Sequence, residues 1–331
     1  MAVRNRYRLY GLTLSSPLAL PLPECDEPAD VWLNPASPTE FARAQAEVTT
    51  AHTPGEWFSC SRLADGSWYL RWAGLFEFLV SPDGRQIRYC RLEQASSESL
   101  SVYLLGHVLS FSLLALGLES LHGTATVIDG NAVLFLGGCG WGKSTLAAAF
   151  LARGFPVLTD DLVALARHNG AWAVHPGMPR LKLFPSVARR LLGTDVRGPR
   201  MNTGTSKLVL PLGPRQSVRD VVRLKAIYLL PQPVKPTNRG KSRVRIESLS
   251  ERDAFLELVG AAFNLVVLER ARLASQFAFA AQLTASVPVR RLIYPRRLSA
   301  LPAVCDALVA DVAPTGSGAL QKGYTAATAT T

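Results

Sequence analysis

The chain has 331 residues, 48% of them hydrophobic and 18% charged, with a formal net charge of +11. That content excludes disorder along the whole chain and, at about 100–200 residues per domain, provides for two cores. The charge is uneven: between Pro179 and Ile246 sixteen Lys and Arg stand against two acids, Asp195 and Asp220. Such a stretch suits either solvated loops or an anionic partner. It has no interleaved aromatics and no recognisable nucleic-acid motif, so no nucleic acid is expected.

The N-terminus is basic and then apolar, but Ser15, Ser16 and several prolines interrupt it and no small-residue cleavage site follows. A first strand is expected there, not a signal peptide. Residues 1–97 carry short alternating runs (RYRLYGLTL, VWL, EWFSC, SWYLRWA, LFEFLV, RQIRYCRL), punctuated by Ala64-Asp65-Gly66 and Pro82-Asp83-Gly84. That pattern predicts a small, mostly antiparallel β domain. Residues 98–118 read as one long connecting helix, apolar enough to be buried between two layers. Its apolar stretch from Tyr103 to Leu118 is interrupted by Gly106, His107, Ser110 and Ser112 and falls short of the ~20 residues of a membrane span, so no membrane is expected. Residues 119–312 alternate strand-like and helix-like segments, the pattern of an α/β layered domain. The stretch 313–331 lacks periodicity and reads as a disordered tail. Five cysteines (Cys25, Cys60, Cys90, Cys139, Cys305) are scattered with no Cys-x-x-Cys, which fits a cytoplasmic protein better than a disulfide framework or a zinc site.

Candidate chemistry concentrates in the second half. Asn131 to Leu136 is a buried-strand pattern running into Gly137-Gly138-Cys139-Gly140-Trp141-Gly142-Lys143-Ser144-Thr145, with a helix expected from Leu146 and Gly154 as its C-cap. This is the Walker A pattern G-x-x-x-x-G-K-S/T in a strand–loop–helix setting. The glycines let the backbone form a nest of N–H donors around a polyphosphate, and the helix N-terminus adds partial positive charge. Lys143 then reaches the outer phosphates and Ser144 ligates Mg2+. The run Phe155 to Thr159 reads as the next strand, ending in Asp160-Asp161. An Asp-Asp pair is by itself an ordinary turn or helix cap; behind a phosphate loop it is where a metal-holding acid and a proton acceptor are expected. His122 precedes the loop, and a lone His is more often structural than catalytic.

The order His122-Gly123, strand, Asp129-Gly130, strand, glycine loop, helix, Arg153-Gly154, strand, Asp160-Asp161 resembles the catalytic domain of bacterial HPr kinase/phosphorylase. The likeness is close from His122 to Asp161. It extends more loosely to HPr-kinase-related proteins through Leu9-Tyr10-Gly11-Leu12 and Pro176-Gly-Met-Pro-Arg180-Leu; relatives include kinases that tailor lasso-peptide precursors. The resemblance implies an α/β P-loop kinase fold preceded by the β domain, with ATP and Mg2+ as cofactors. It also implies transfer of phosphate to a serine of a protein or peptide partner. Lys143 and the loop from Gly137 to Thr145 would hold the phosphates, Ser144 and Asp161 the metal. Asp160 would be the general base and His122 would orient it. A homo-oligomer is left open. The later Glu/Arg-Gly signature of true HPr kinases is missing; Arg180, Lys182 and Lys207 are candidate substitutes for its positive charge. The alternative is a regulatory module that binds or hydrolyses ATP without passing phosphate to a partner.

Overall fold

The computed structural model describes residues 4–48, 57–92, 95–202, 204–233 and 243–313. Apart from Ala313, the expected disordered tail lies outside these residues. The result is a mixed α/β molecule with three sheets.

The first sheet contains β1 (Asn5–Leu9), β2 (Leu12–Ser16), β3 (Val31–Pro35), β4 (Phe58–Arg62), β5 (Trp68–Trp72), β6 (Phe76–Val80) and β7 (Gln86–Arg91) in the order β1-β2-β3-β7-β6-β5-β4. Only the β2–β3 and β3–β7 pairs are parallel. The run RYRLYGLTL, expected as one strand, is a hairpin. Tyr10 (φ 54°) and Gly11 (φ 82°) both take the left-handed conformation that a two-residue hairpin turn requires. One face of this sheet is covered by α1 (Pro38–Glu47), through Phe41 and Ala44 against Tyr69.

The other face packs on a continuous helix, α2 (Ser97–Tyr103), a π turn (Leu104–Val108) and α3 (Leu109–Ala115). Leu104, Leu105, Val108, Leu109, Phe111 and Leu113 share one apolar cluster with Leu70, Phe76 and Phe78 of the sheet and with Leu162 and Ala164 of the next layer. The 19 residues Ser97–Ala115 are long and apolar enough to cross a membrane, contrary to the length argument from sequence. Their burial between two sheets is what their apolar character serves.

The second sheet contains β8 (Ser120–Ile128), β9 (Asn131–Leu136), β10 (Val157–His168), β11 (Ala171–Val174), β15 (Val222–Leu229), β16 (Arg245–Ser248) and β17 (Val289–Ile293), ordered β11-β10-β8-β9-β15-β17-β16. β11 also pairs with β15, so β8, β9, β15, β11 and β10 form a closed ring of pairings. β9 is buried on both faces. Leu134 and Leu136 face α6 (Glu251–Gly260) and α7 (Arg270–Thr284), whereas Val133 and Phe135 face α4 (Lys143–Leu151) and α8 (Leu301–Val312). A third, small sheet of β12 (Arg180–Leu183), β14 (Thr205–Pro211) and β13 (Arg200–Asn202) packs with α5 (Pro185–Leu192) against α4.

Two boundaries differ from expectation where the site lies. The helix after the glycine loop starts at Lys143, three residues early, with Gly142 (φ 98°) as its N-cap. The strand expected to stop at Thr159 runs on to His168, because Asp160 and Asp161 keep pairing with Thr124 and Gly123 of β8. The acids sit inside a strand.

Candidate active site at the glycine-rich loop

β9 delivers the chain to Gly137 at the edge of the site, and three loop glycines take left-handed or otherwise positive φ: Gly137 (144°), Gly140 (79°) and Gly142 (98°). A side chain at Gly142 would strain the one residue joining loop to helix. Among the described residues no side chain caps α4, which leaves the N–H groups of its first turn without a side-chain partner there, as the start of a helix does. Lys143 is buried, and its Nζ donates to the carbonyls of Gly137 (2.6 Å) and Gly138 (3.1 Å). Burial lowers its pKa, while Asp160 and Asp161 oppose that. Cys139 and Gly140 at the loop tip are exposed. The Trp141 indole lies on the backbone of Gly137 and Gly138, so a Cβ at Gly138 would stand 2.6 Å from its ring. Tyr294 and Arg296, just beyond β17, brace the loop: Arg296 Nη1 donates to the Trp141 carbonyl at 2.8 Å and to the Tyr294 hydroxyl at 2.8 Å.

The two acids face different company. Asp160 is 3% exposed. Its Oδ1 accepts from Ser144 Oγ (2.9 Å) and Thr124 Oγ1 (2.7 Å), and its Oδ2 from the Lys182 backbone N–H (3.0 Å). Asp161, its side chain 32% exposed, meets Lys182 Nζ at 2.5 Å and His122 Nδ1 at 3.7 Å. Burial works against its charge, but Lys182, His122 and Arg180 outweigh that and hold the carboxyl far below the usual carboxylate range. Burial pushes the His122 imidazole below its ordinary value, against the pull of Asp161. Lys182 thus touches both acids, one through its backbone and one through its ammonium.

Of the three candidate cations, Arg180 and Lys182 are buried beside the acids. Arg180 is 6% exposed; among the described residues its Nε has no partner, and its Nη2 donates to the Val102 carbonyl at 3.4 Å. Burial lowers its pKa while Tyr10 and both acids raise it. Lys207 lies over the Phe184 ring (5.4 Å) and near enough to Lys143 to lower its pKa further.

The sequence did not single out several residues that the fold brings here. His107, in the π turn, sits among Phe58, Trp72, Phe111 and Phe263 and shares the field of Asp161, His122 and Lys182. The adjacent Gly106 lies so close that a Cβ there would be 3.9 Å from Asp161 Oδ2. Tyr10 backs the site through Arg180 and Thr159. The local signals were a histidine and a glycine breaking an apolar run, and Tyr10 within Leu9-Tyr10-Gly11-Leu12. Where β9 ends, the segment after α6 takes over its edge of β8: His122 N–H donates to the Ala261 carbonyl (2.8 Å) and Phe263 N–H to the Ser120 carbonyl (2.9 Å). Between that segment and the loop opens a cavity of about 590 Å³. Among the described residues no group of three or more His, Cys, Asp or Glu is placed to hold a metal by itself; Ser144 and Asp160 form an oxygen pair that could share one.

No protein-family model matches the chain, and no curated protein matches it. Among solved structures, the Hpr(Ser) kinase/phosphatase from Coxiella burnetii is similar with 14% identity and a TM-score of 0.30, covering 58% of this chain and 92% of that one. An overlap that slight carries no argument about function.

Proposed function

We propose that this chain is an ATP-dependent kinase that phosphorylates a serine of a protein or peptide. The observation that carries the reading is the pairing of Ser144, on the first turn after the glycine loop, with Asp160, while Asp161 and His122 stand together beside them. The residues present fit the ligands. The N–H groups of the helix start and the Lys143 ammonium suit the β- and γ-phosphates, and two oxygen donors complete a Mg2+ otherwise held by phosphates and water. Bound ATP and Mg2+ supply the transferable phosphoryl group and neutralise charge as it moves.

The geometry favours a division of labour opposite to that suggested by sequence. Asp160 is enclosed by three donors and shares Ser144, so it is the metal-side acid. Asp161 is the accessible one, so it and His122 face the acceptor. Lys182 keeps Asp161 ionised. A carboxylate held so low is a weak base, so Asp161 orients the acceptor hydroxyl and takes its proton late, with His122 beside it. The same engagement of Asp161 by Lys182 is what favours the second reading, a module that hydrolyses ATP to no partner's benefit.

Labelled ATP and serine-containing peptides separate the two. Asp161→Asn is expected to keep nucleotide affinity and lower transfer by about 10²–10⁴-fold. Asp160→Asn and Ser144→Ala are expected to raise the Mg2+ concentration needed. Transfer by Asp161→Asn at the parent rate removes the assignment, and nucleotide affinity untouched by Lys143→Ala removes the phosphate-loop reading.

A further inference from the structure

Resting on that reading, we propose that the cavity beside the loop receives the acceptor chain, and that it selects a serine flanked by a bulky apolar residue and a basic one. The cavity of about 590 Å³ is of ligand-binding size. One wall is the start of the loop, Gly138 with the Trp141 indole upon it; the floor includes His122. One face of α6 also lines it, presenting Asp253, Leu256, Glu257 and Gly260 at the i, i+3, i+4, i+7 spacing of a helix stripe. Leu265 closes the rim.

Three observations decide the occupant. First, position: the N–H groups of the helix start lie at the end of the loop, and Asp160 and Asp161 lie beside Ser144 and Lys182. A triphosphate bound there ends at the acids. The cavity contains His122, which touches Asp161, so it admits the group that attacks the terminal phosphorus. Second, charge: Lys143 and Lys207 stand near each other by the loop and Lys182 beside Asp161, whereas the α6 side of the cavity carries Asp253 and Glu257, the latter paired with Arg291 at 3.7 Å, which leaves a net negative charge there. Phosphates are repelled from that side, and a cationic side chain is attracted to it. Third, apolar exposure: Leu256 and Leu265, which line the cavity, are 54% and 51% exposed, and Val266 and Leu268 of the same segment as Leu265 are exposed as well. Bare leucines in a row beside a reaction centre call for an apolar side chain to cover them.

The test uses the full chain and fluorescently labelled synthetic peptides with a single serine, flanked by Leu and Lys in one and by Ala and Glu in the other. Fluorescence anisotropy reads affinity without requiring transfer. The Leu/Lys peptide is expected to bind roughly tenfold or more tightly than the Ala/Glu peptide. Leu256→Asp with Leu265→Asp, both on the surface, should abolish the difference. Glu257→Lys should shift preference toward the Ala/Glu peptide. Equal binding of both peptides, or a preference indifferent to these substitutions, overturns the proposal. Selective binding without movement of labelled phosphate would instead count against the kinase reading and leave the cavity's selectivity standing.

Discussion

Asp161 is a non-glycine residue at φ 84°, inside a strand that keeps its pairing on both sides. Holding such a residue in that conformation costs on the order of 1–3 kcal/mol and persists only where its surroundings enforce it. Here the enforcement is visible: the ammonium of Lys182 and the ring of His122 engage the carboxylate, and Gly123, facing it across the ladder, cannot carry a Cβ without meeting Leu136 at 2.7 Å. The two adjacent acids meet different partners, Asp160 the Ser144 hydroxyl and Asp161 the Lys182 ammonium. Removing the enforcement should release the strain. Lys182→Met is expected to cut phosphoryl transfer while nucleotide affinity changes little, measured as a fall in kcat for the peptide substrate; an unchanged kcat would show that Asp161 is held by something else.

At the scale of elements, the π turn and the α7 anchor each carry a buried charge problem. His107 is pushed down to about 4, chiefly by burial, with Asp161 pulling the other way. An unfolded histidine titrates near 6.5, so between pH 4 and 6.5 the unfolded chain binds more protons than the folded one. Stability therefore falls as pH drops through that window, by about 3 kcal/mol in all. His107→Phe, which suits the surrounding rings, should lose much less between pH 7 and pH 4.5 in urea unfolding; identical pH slopes would rule the explanation out. Glu119, at the entry to β8, pairs with Arg272 of α7 at 3.2 Å with both buried, and Gln276 completes the contact. Burial raises the Glu119 pKa and Arg272 only partly offsets it. Arg272→Met leaves that carboxylate alone and should cost about 3–5 kcal/mol, whereas the double change with Glu119→Leu should restore most of it, as read by denaturation midpoints.

Across the whole molecule, the N-terminal sheet is built into the candidate site. The Tyr10 N–H donates to the Pro176 carbonyl at 3.0 Å, and a Cβ at Gly11 would meet His175 at 2.6 Å. A Cβ at Gly177 would fall 1.9 Å from Thr159 Oγ1, next to Asp160. Gly177→Ala should thus destabilise by about 1–3 kcal/mol and slow transfer together, though it lies outside the loop. Because Leu162, Ala164, Met178 and Val267 share one apolar cluster with the helix and the first sheet, a chain beginning at Glu119 would bare that surface. Aggregation or dye-binding in such a fragment, against a soluble full chain, is the expected result; a well-folded monomeric fragment would refute it.

What was legible in the sequence was local. Strand–loop–helix around Gly137–Thr145, the turn Asp129-Gly130 and the hairpin signals near Gly66 and Gly84 depend on backbone conformations that few residues adopt and on alternation within a strand. The same local reading stopped β10 at the acids, because two carboxylates look like an end when their cross-strand partners are out of sight. Which acid meets Ser144, where the tryptophan lies, and how His107, Tyr10 and Arg296 reach the loop were settled only in three dimensions. Each depends on contacts between segments far apart in the chain, and such contacts are chosen by the packing of whole layers, which no window of neighbouring residues contains.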